Sequence, residues 1–425
     1  MFNFLKNKEA KNAIWLIAGK VVQMVLSLIV GVLSARYLGP NNYGLLNYGT
    51  AWITFFCAFS NLGINSIIVK DFFDNPNEQG KTLGSAILSR FISSTLSAVI
   101  VIGCIFLING NEPLTIAVVS LQSVGLVFNI LEIINYWFQS QYKSKITSIA
   151  TVIAYIASSA YKIILLSLDK DVRWFAFATS VDHIAMAIVL WIAYKKHNGP
   201  PLSFSFKKAK TLLKSSYHYI LSTTMVAIYS QTDKVMLKEM LSETEVGYYS
   251  VAVGVCSMWV FVLTAIIDSM YPTILKLHSV DSDGFKKKNK QLYAIVFYVS
   301  CAVSVLFLLF GDLGIRLVYG EAYSPASSTL KIVTWYTAFS YLGVARNAWI
   351  VSEGKQKYLK YMYCGAAIIN VLLNLIFIPL MGASGAALAS LITQIFTSII
   401  LPMCFKEMRP NAKLMIEAIL LKGVF

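Results

Sequence analysis

Apolar stretches of helix length recur from one end of the chain to the other, separated by short polar segments. A membrane-spanning helix needs roughly 20 mostly apolar residues, so each stretch predicts one span. The twelve predicted spans are 13–35, 46–68, 84–108, 114–138, 147–168, 174–194, 216–240, 246–272, 291–311, 327–351, 359–380 and 383–404. The pattern therefore predicts an all-α polytopic membrane protein with about 12 transmembrane helices.

The seventh predicted span, 216–240, has an acid and a base at its centre, Asp233 and Lys234. A charge at membrane depth costs at least ~2.5 to 3.5 kcal/mol, so it requires partners or a water-filled cavity. Adjacent side chains on a helix point about 100° apart, so these two residues must find partners on other helices. The span is therefore predicted to line a cavity. An inter-helix ion pair that only holds the bundle together is the alternative.

Other predicted spans carry polar side chains on a single helical face. Lys20 and Gln23 share a face of the first span, and Lys162 continues a polar face of the fifth. The deep ionisable residues are Lys162, Asp182, Asp233, Lys234 and Arg346, of which three are cationic. Surplus positive charge favours an anion, although each residue alone is more typical of a packing contact, and Lys20 could instead reach the membrane surface. Exposure near helix ends is expected for Arg90, Asp268 and Lys331.

The chain also contains a weak internal repeat. Residues 135–145 recur at 347–357, an offset of 212, with the identities Asn135/Asn347, Trp137/Trp349, Ser140/Ser352, Lys143/Lys355 and Lys145/Lys357. A looser match relates 38–44 to 241–247 at an offset of 203. Two six-helix halves are therefore predicted. Because six is even, both halves enter the membrane in the same direction, as parallel transporter repeats do, and a central cavity is expected between them.

This repeat divides the chain into an N-terminal lobe (1–194), a basic linker (195–214), a C-terminal lobe (215–404) and a tail (405–425). The linker contains two prolines and an amphipathic segment, so it is predicted to lie along the cytoplasmic surface. The tail has amphipathic helical character and is expected at the same surface. A thirteenth span that stops short is the alternative for the tail.

Composition agrees with a membrane protein, since 57% of the 425 residues are hydrophobic, 13% are charged and the mean hydropathy is +0.64. The net charge of +15 is concentrated before the first span, after the even-numbered spans and in the tail. Positive residues collect on the cytoplasmic side of membrane proteins, so both termini are predicted to be cytoplasmic. The same basic face should attract anionic headgroups, which indicates membrane lipids rather than nucleic acid as partners.

The motifs of common enzyme classes are missing from the sequence. Its six cysteines and four histidines are dispersed, which predicts neither disulfides nor a metal site. No P-loop, dinucleotide fingerprint, zinc-binding histidine pair or nucleophile elbow occurs. We therefore expect no enzyme activity, no catalytic residues and no cofactor. Transport must be passive, coupled to a proton or sodium ion, or driven by a partner.

Several loose motifs resemble one transporter family. They are the turn at 35–40 with Tyr43 and Gly44, the 232–234 signature followed by 245–249, and the small residues at 382–387. Over almost the whole chain the sequence resembles the polysaccharide transporter branch of the multidrug/oligosaccharidyl-lipid/polysaccharide (MOP) flippase superfamily, and specifically the bacterial O-antigen flippases called Wzx. The resemblance implies two lobes of six helices around a central cationic cavity.

The resemblance also implies a function. Such flippases move an undecaprenyl-pyrophosphate-linked oligosaccharide, the O-antigen repeat unit of lipopolysaccharide, from the inner to the outer leaflet of the bacterial inner membrane by alternating access. A glycan polymerase and a chain-length regulator are candidate partners. The cations expected to line the cavity and hold the pyrophosphate or acidic sugars are Lys20, Lys162, Lys234 and Arg346. Asp233, with Asp182 or Glu132, is the candidate site of a coupling proton or sodium ion.

Two other functions stay open. An ion-coupled small-molecule (multidrug) exporter of the same superfamily would have a more apolar or anionic cavity and would raise drug resistance. An integral-membrane glycan polymerase or ligase would need one long external loop with paired basic residues, whereas every predicted outer loop is short.

Overall fold

The computed structural model describes the backbone of residues 8–424 and the side chains of residues 19–221 and 223–424. Every regular element in this part of the chain is helical, so the predicted all-α class is confirmed. The α-helices are α1 (Lys8–Ser60), α2 (Asn65–Asp74), α3 (Gln79–Ile108), α4 (Pro113–Phe128), α5 (Ile134–Ser140), α6 (Ser144–Ser167), α7 (Val172–Lys196), α8 (Phe206–Met240), α9 (Glu243–Ser257), α10 (Val260–Val280), α11 (Ser282–Tyr319), α12 (Ala326–Ala345), α13 (Asn347–Ser352), α14 (Leu359–Met381), α15 (Ala383–Ile395), α16 (Leu401–Cys404) and α17 (Arg409–Ile419).

The first two predicted spans are joined by a kink inside α1. Gly39 has φ 69° and ψ 172°, outside the helical region, and Pro40 follows it. Glycine reaches a positive φ without strain and proline lacks the N–H of a helix interior, so this pair bends the chain. Helical hydrogen bonding resumes directly after it. The predicted turn is therefore a kink rather than a loop.

The predicted spans are mostly helical, although 46–68 includes a turn at 61–64 and 246–272 is divided between α9 and α10. Nine helices in the described part of the chain are long and apolar enough to cross a membrane. One of the nine, Gly19–Asp74, contains both the first and the second predicted span. The helices over 216–240 and 327–351 are not among them, because Ser, Thr, Tyr and charged residues lower their hydropathy. Together with these two less apolar helices, the nine are consistent with twelve membrane helices. The chain is a multi-pass membrane protein.

The chain forms two compact units. Unit 1 comprises Met1–Leu38 and Leu45–Ala227, and unit 2 comprises Gly39–Gly44 and Ile228–Phe425. The division falls inside α8, so the linker 195–214 and the first half of α8 pack with unit 1. The hexapeptide Gly39–Gly44 packs with unit 2 although it belongs to α1.

This hexapeptide lies backbone to backbone against the start of α9. A Cβ atom on Gly44 would overlap the carbonyl oxygen of Glu243, and a Cβ atom on Gly247 would overlap that of Pro40. Only glycine permits so close an approach of two backbones. The two segments that the looser sequence match relates therefore contact each other.

The core of unit 1 combines apolar residues of α2, α3, α5, α6 and α7 with Leu212 at the start of α8. The linker that precedes α8 is held against α2 and α3. The Ser205 backbone N–H donates to Ser85 Oγ (3.0 Å), and Lys208 forms an ion pair with Asp71 (2.9 Å). The linker is thus an ordered part of unit 1.

The core of unit 2 includes the tail. Met408 and Met415 are fully buried in a cluster formed with α10, α11 and α12. The Asn411 amide donates to Tyr293 Oη on α11 (2.7 Å). The amphipathic helix predicted for the tail is α17, and its apolar face is covered by the rest of unit 2.

An ion pair attaches the start of the tail to the turn after α13. Lys355 Nζ donates to Glu407 Oε2 at 2.7 Å. This hydrogen bond lowers the pKa of Glu407 and raises the pKa of Lys355. The pair is exposed to solvent, so it contributes little to stability. Its main effect is to position the start of the tail.

The repeated segments 135–145 and 347–357 share a backbone geometry. The chain turns at Tyr142 (φ 55°) in unit 1 and at Gly354 (φ 65°) in unit 2, positions separated by the same offset as the sequence identities. The matching backbone hydrogen bonds run from Lys143 N to Phe138 O and from Lys355 N to Ile350 O, each 2.9 Å. The two repeated segments therefore form the same kind of turn.

Candidate functional site

A cavity of about 360 Å³ lies within unit 2, between α8, α9, α12 and α15. We call it the unit 2 cavity. The tyrosines Tyr229, Tyr249, Tyr336 and Tyr341, the hydroxyl residues Ser230, Ser257, Thr337, Ser340 and Ser390, and Gln231, Asp233 and Lys234 form its polar lining. The ionisable centre of α8 therefore faces a cavity, as its sequence predicts.

Asp233 lies in the wall of this cavity, is 3% exposed and accepts three hydrogen bonds. Its Oδ2 accepts from Tyr249 Oη (2.5 Å) and from Ser390 Oγ (2.5 Å). Its Oδ1 accepts from Asn374 Nδ2 (2.7 Å). The donors belong to α9, α15 and α14, so the carboxylate finds its partners on neighbouring helices. These bonds satisfy a buried acceptor that would otherwise be costly.

Two asparagines of α14 continue this network. Asn370 and Asn374 are fully buried, and Asn374 Nδ2 also contacts Asn370 Oδ1 (3.2 Å). Asn370 Nδ2 donates to Ser390 Oγ (3.3 Å). Neither asparagine is among the predicted site residues. Their i, i+4 spacing in an otherwise apolar helix is the signal that could have identified them.

Lys234 is half-buried beside the cavity, and its charge interacts with that of Asp233, but its ammonium group has no hydrogen bond or ion pair among the described residues. Gln231 has a buried Oε1 that likewise lacks a partner among the described residues. Residues three apart on a helix are neighbours on its surface. The Lys234 ammonium is therefore the charged donor of the cavity wall, whereas Gln231 Oε1 is enclosed by the protein.

Arg346 also belongs to unit 2 but is not part of the cavity wall. It lies at the C-terminal end of α12, is 5% exposed, and its Nη1 donates to Thr397 O (3.1 Å). Thr397 lies in a π-helical turn, Phe396–Ile400, a feature that is frequent at functional sites. The guanidinium thus connects α12 to this turn.

Unit 1 contains a separate buried polar cluster around Arg90, which is 0% exposed. Arg90 Nη2 donates to Asn61 Oδ1 and to Asn129 Oδ1 (2.7 Å). Asn129 in turn donates to Glu132 Oε2 (2.7 Å). The prediction that Arg90 is exposed is wrong. Because α3 begins at Gln79, Arg90 lies about three turns inside the helix, where it contacts Asn61 and Asn129 in the segments that follow α1 and α4.

The remaining predicted site residues of unit 1 extend this cluster in part. Lys162 on α6 and Asp182 on α7 are half-buried, and their charges interact. Asp182 also interacts with the charge of Glu132. Lys20 is exposed on α1. The structure therefore brings Lys162, Asp182 and Glu132 together in unit 1, and Asp233 and Lys234 together in unit 2.

Long apolar helices in two units, with charges held inside each unit, form a fold that is found in solved membrane proteins. The structure resembles that of the lipid II flippase MurJ in an inward closed conformation, with a TM-score of 0.73 and 15% identity, covering 97% of this chain and 91% of that one. An inward-facing multidrug resistance MATE family transporter of the MOP superfamily gives a TM-score of 0.72 with 16% identity, covering 92% and 95%. The chain shares its fold with these two proteins.

The chain belongs to the polysaccharide biosynthesis protein family, whose sequence pattern it matches over residues 10–278. A relative from Escherichia coli (strain K12) is 20% identical over 92% of this chain and 95% of its own length. A relative from Shigella flexneri is 21% identical over 94% and 98%. Both carry the provisional name of O-antigen transporter. The resemblance drawn from the motifs is confirmed.

Proposed function

We propose that this protein is a flippase that moves an undecaprenyl-pyrophosphate-linked oligosaccharide, such as an O-antigen repeat unit, from the inner to the outer leaflet of the bacterial inner membrane. The family, the names of the relatives and the fold shared with a lipid II flippase support this. The observation that carries the proposal is the polar unit 2 cavity among apolar helices, because a glycan needs polar partners to cross hydrocarbon. Transport would proceed by alternating access.

The anionic part of this substrate would be held by four cations. A pyrophosphate is a multiply charged anion, and cations attract such groups strongly where water is scarce. We assign the binding of the pyrophosphate, and of any acidic sugars, to Lys20, Lys162, Lys234 and Arg346. The three less exposed cations should contribute most, because water and salt screen the charge of Lys20.

A coupling proton or sodium ion is assigned to Asp233, with Asp182 or Glu132 as second candidates. Hard cations prefer oxygen ligands. The Asp233 carboxylate lies among the hydroxyls of Tyr249 and Ser390, and Asn374 Oδ1 is buried without a partner among the described residues. Flipping in vesicles should therefore respond to an imposed proton or sodium gradient, and the response should vanish in Asp233→Asn.

The proposal also covers the orientation of the chain in the membrane and its partner proteins. Both termini are assigned to the cytoplasm, because the basic segments of the sequence collect on that side. A glycan polymerase and a chain-length regulator are proposed as partners, since a repeat unit delivered to the outer leaflet is the substrate of polymerisation.

The proposal is tested by complementation of a strain that lacks its own O-antigen flippase. The wild-type chain should restore surface polysaccharide. Lys234→Ala and Arg346→Ala should each abolish it while the amount of protein in the membrane stays unchanged. Lys276, exposed on α10, provides the control, and Lys276→Ala should complement as the wild type does. Normal polysaccharide with both Lys234 and Arg346 replaced would refute their roles.

The same strains separate a flippase from a drug exporter. The likeness to a multidrug transporter concerns the fold alone at 16% identity and supports no drug substrate. Expression in a drug-sensitive host should leave drug resistance unchanged. Raised resistance without restored polysaccharide would replace the flippase with an exporter.

A further inference from the structure

A histidine lies near the middle of α7, in unit 1. We propose that His183 takes up and releases a proton during transport, and that Asn129 transmits its protonation state to Arg90 and Glu132. This inference rests on the proposed flippase function and adds to it a proton site in unit 1, separate from Asp233 in unit 2. Histidines and acids inside membrane spans are typical of proton relays.

The side chain of Asn129 joins three ionisable groups. Its Oδ1 accepts from Arg90 Nη2 (2.7 Å), and its Nδ2 donates to Glu132 Oε2 (2.7 Å). The same Nδ2 lies 3.4 Å from His183 Nδ1. A guanidinium can only donate hydrogen bonds, so the amide oxygen must face Arg90 and the amide NH₂ must face the other two groups. Arg90 therefore fixes the orientation of the Asn129 amide.

This orientation determines the protonation state of His183 in the structure. Because the Asn129 NH₂ is a donor, His183 Nδ1 has to accept, so the ring is neutral and carries its proton on Nε2. A proton on Nδ1 would place two donors against each other. Protonation must therefore break this contact or turn the Asn129 amide. Turning the amide would break its hydrogen bonds to Arg90 and Glu132.

Charged groups from several elements surround His183. Asp182 precedes it on α7 and interacts with its charge. Lys162 on α6 and Glu132 in the turn after α4 interact with Asp182, and Arg90 on α3 interacts with Glu132. The other titratable side chains that interact with these charges are Cys57 on α1, Tyr136 on α5 and Tyr155 on α6. Two acids and two bases balance while the ring is neutral. A proton on His183 therefore changes both the net charge and the hydrogen bonds of the cluster, as a protonation switch requires.

The position of His183 also permits proton exchange. His183, Asp182 and Glu132 are each half-buried, so the cluster is not sealed inside unit 1. A Cβ atom on Gly125 would lie 2.9 Å from His183 Cδ2, so the ring packs closely against α4, the helix that Asn129 follows. Histidine is the side chain that ordinarily changes charge between pH 5 and 8. The ring is thus held beside Asn129 and can exchange a proton in this range.

The first test observes the imidazole directly. The chain has four histidines, so replacing His197, His218 and His278 by glutamine leaves His183 as the only one. Nitrogen-15 NMR of this full-length single-histidine protein in lipid nanodiscs should show a proton on Nε2 alone at about pH 8 and on both nitrogens at about pH 5. Asn129→Leu removes the donor, so the neutral ring should lose its preference for Nε2.

The second test determines whether this proton is needed for transport. In the complementation strain, His183→Gln should reduce surface polysaccharide by about tenfold or more, because glutamine cannot change its charge. His278→Gln is the matched control. His278 forms a partly exposed ion pair with Glu353 (3.3 Å) at the end of α10, and its replacement should complement as the wild type does. Thermal unfolding and the amount of protein in the membrane establish that each variant is folded.

Four results would overturn the inference. They are a proton on Nδ1 at about pH 8, a ring that stays in one state between about pH 5 and 8, an unchanged tautomer in folded Asn129→Leu, and full complementation by His183→Gln. The tautomer in the single-histidine protein tests the hydrogen bond even where Asn129→Leu does not fold. A wild-type chain that fails to complement would reject the flippase, whatever the state of His183. Complementation by both the wild type and His183→Gln would reject the inference alone.

Discussion

Asp233 shows how a carboxylate is accommodated inside an apolar bundle without a cationic partner. Three neutral donors from three helices surround it, and its charge helps to hold those helices together. The adjacent Lys234 differs, since its ammonium group lies at the cavity and has no hydrogen-bond partner among the described residues. One residue is therefore fixed by the protein, and its neighbour is available to a ligand.

Asp233→Asn should destabilise the protein by about 1 to 3 kcal/mol, because the new amide NH₂ would face a donor where an oxygen now accepts. The measurement is the unfolding midpoint in detergent. Asp268→Asn is the matched control, since Asp268 is exposed on α10 and should tolerate the change. Equal midpoints for the two variants would show that the network around Asp233 contributes nothing.

Two glycines of α9 provide a second comparison at the residue scale. Gly247→Ala should unfold at a lower temperature, because its Cβ would overlap Pro40 O. Gly254 has nothing within 4 Å of the corresponding position, so Gly254→Ala should be neutral or stabilising by about 0.5 to 1 kcal/mol. Thermal unfolding measures both. A Gly247→Ala protein as stable as Gly254→Ala would contradict the close packing of the two backbones.

At the scale of elements, α17 shows that unit 2 is not complete without its tail. The apolar face of this helix packs against α11, and Lys290 on α11 forms an ion pair with Glu417. The helix has only 11 residues, and isolated helices shorter than about 12 to 15 residues are marginal in water. Packing on unit 2 therefore stabilises it.

Met415→Asp should destabilise unit 2 by about 3 kcal/mol or more, because the new carboxylate would be buried in the core without a partner. Lys413→Asp introduces the same residue on the exposed side of α17 and should be tolerated. Protein yield and the unfolding midpoint measure the difference. If both variants accumulated equally, the tail would be dispensable.

The sequence predicts the positions of the helices well, because a span needs an apolar stretch whatever surrounds it. It also predicts a break near Gly39 and Pro40, because that depends on local backbone chemistry, and it relates 135–145 to 347–357, although the turns at Tyr142 and Gly354 were not predicted. The burial of Arg90 could not be predicted, because it depends on which helices cover that turn of α3. The same holds for the partners of Asp233, since Asn374 and Ser390 are 141 and 157 residues away.

At the scale of the whole molecule, two units each hold ionisable residues in their interior. Unit 1 gathers them around Arg90 and Glu132, and unit 2 gathers them around Asp233 and the cavity. The shared turn after α5 and α13 relates the units in sequence and in backbone geometry. Their buried side-chain chemistry nevertheless differs.

The assigned orientation predicts which cysteines an impermeant reagent can reach. In a cysteine-free background, Lys170→Cys in the turn between α6 and α7 should react with an impermeant maleimide in intact spheroplasts. Lys413→Cys on α17 should react only after the membrane is permeabilised. Both side chains are exposed, so access to the aqueous side decides the result. The reverse labelling pattern would invert the topology.

The contact between Gly39–Gly44 and the start of α9 has a consequence for biogenesis. The hexapeptide leaves the ribosome roughly 200 residues before Glu243 and Gly247, and until then it has no surface to pack on. The contact can therefore form only after the chain has been synthesised as far as α9.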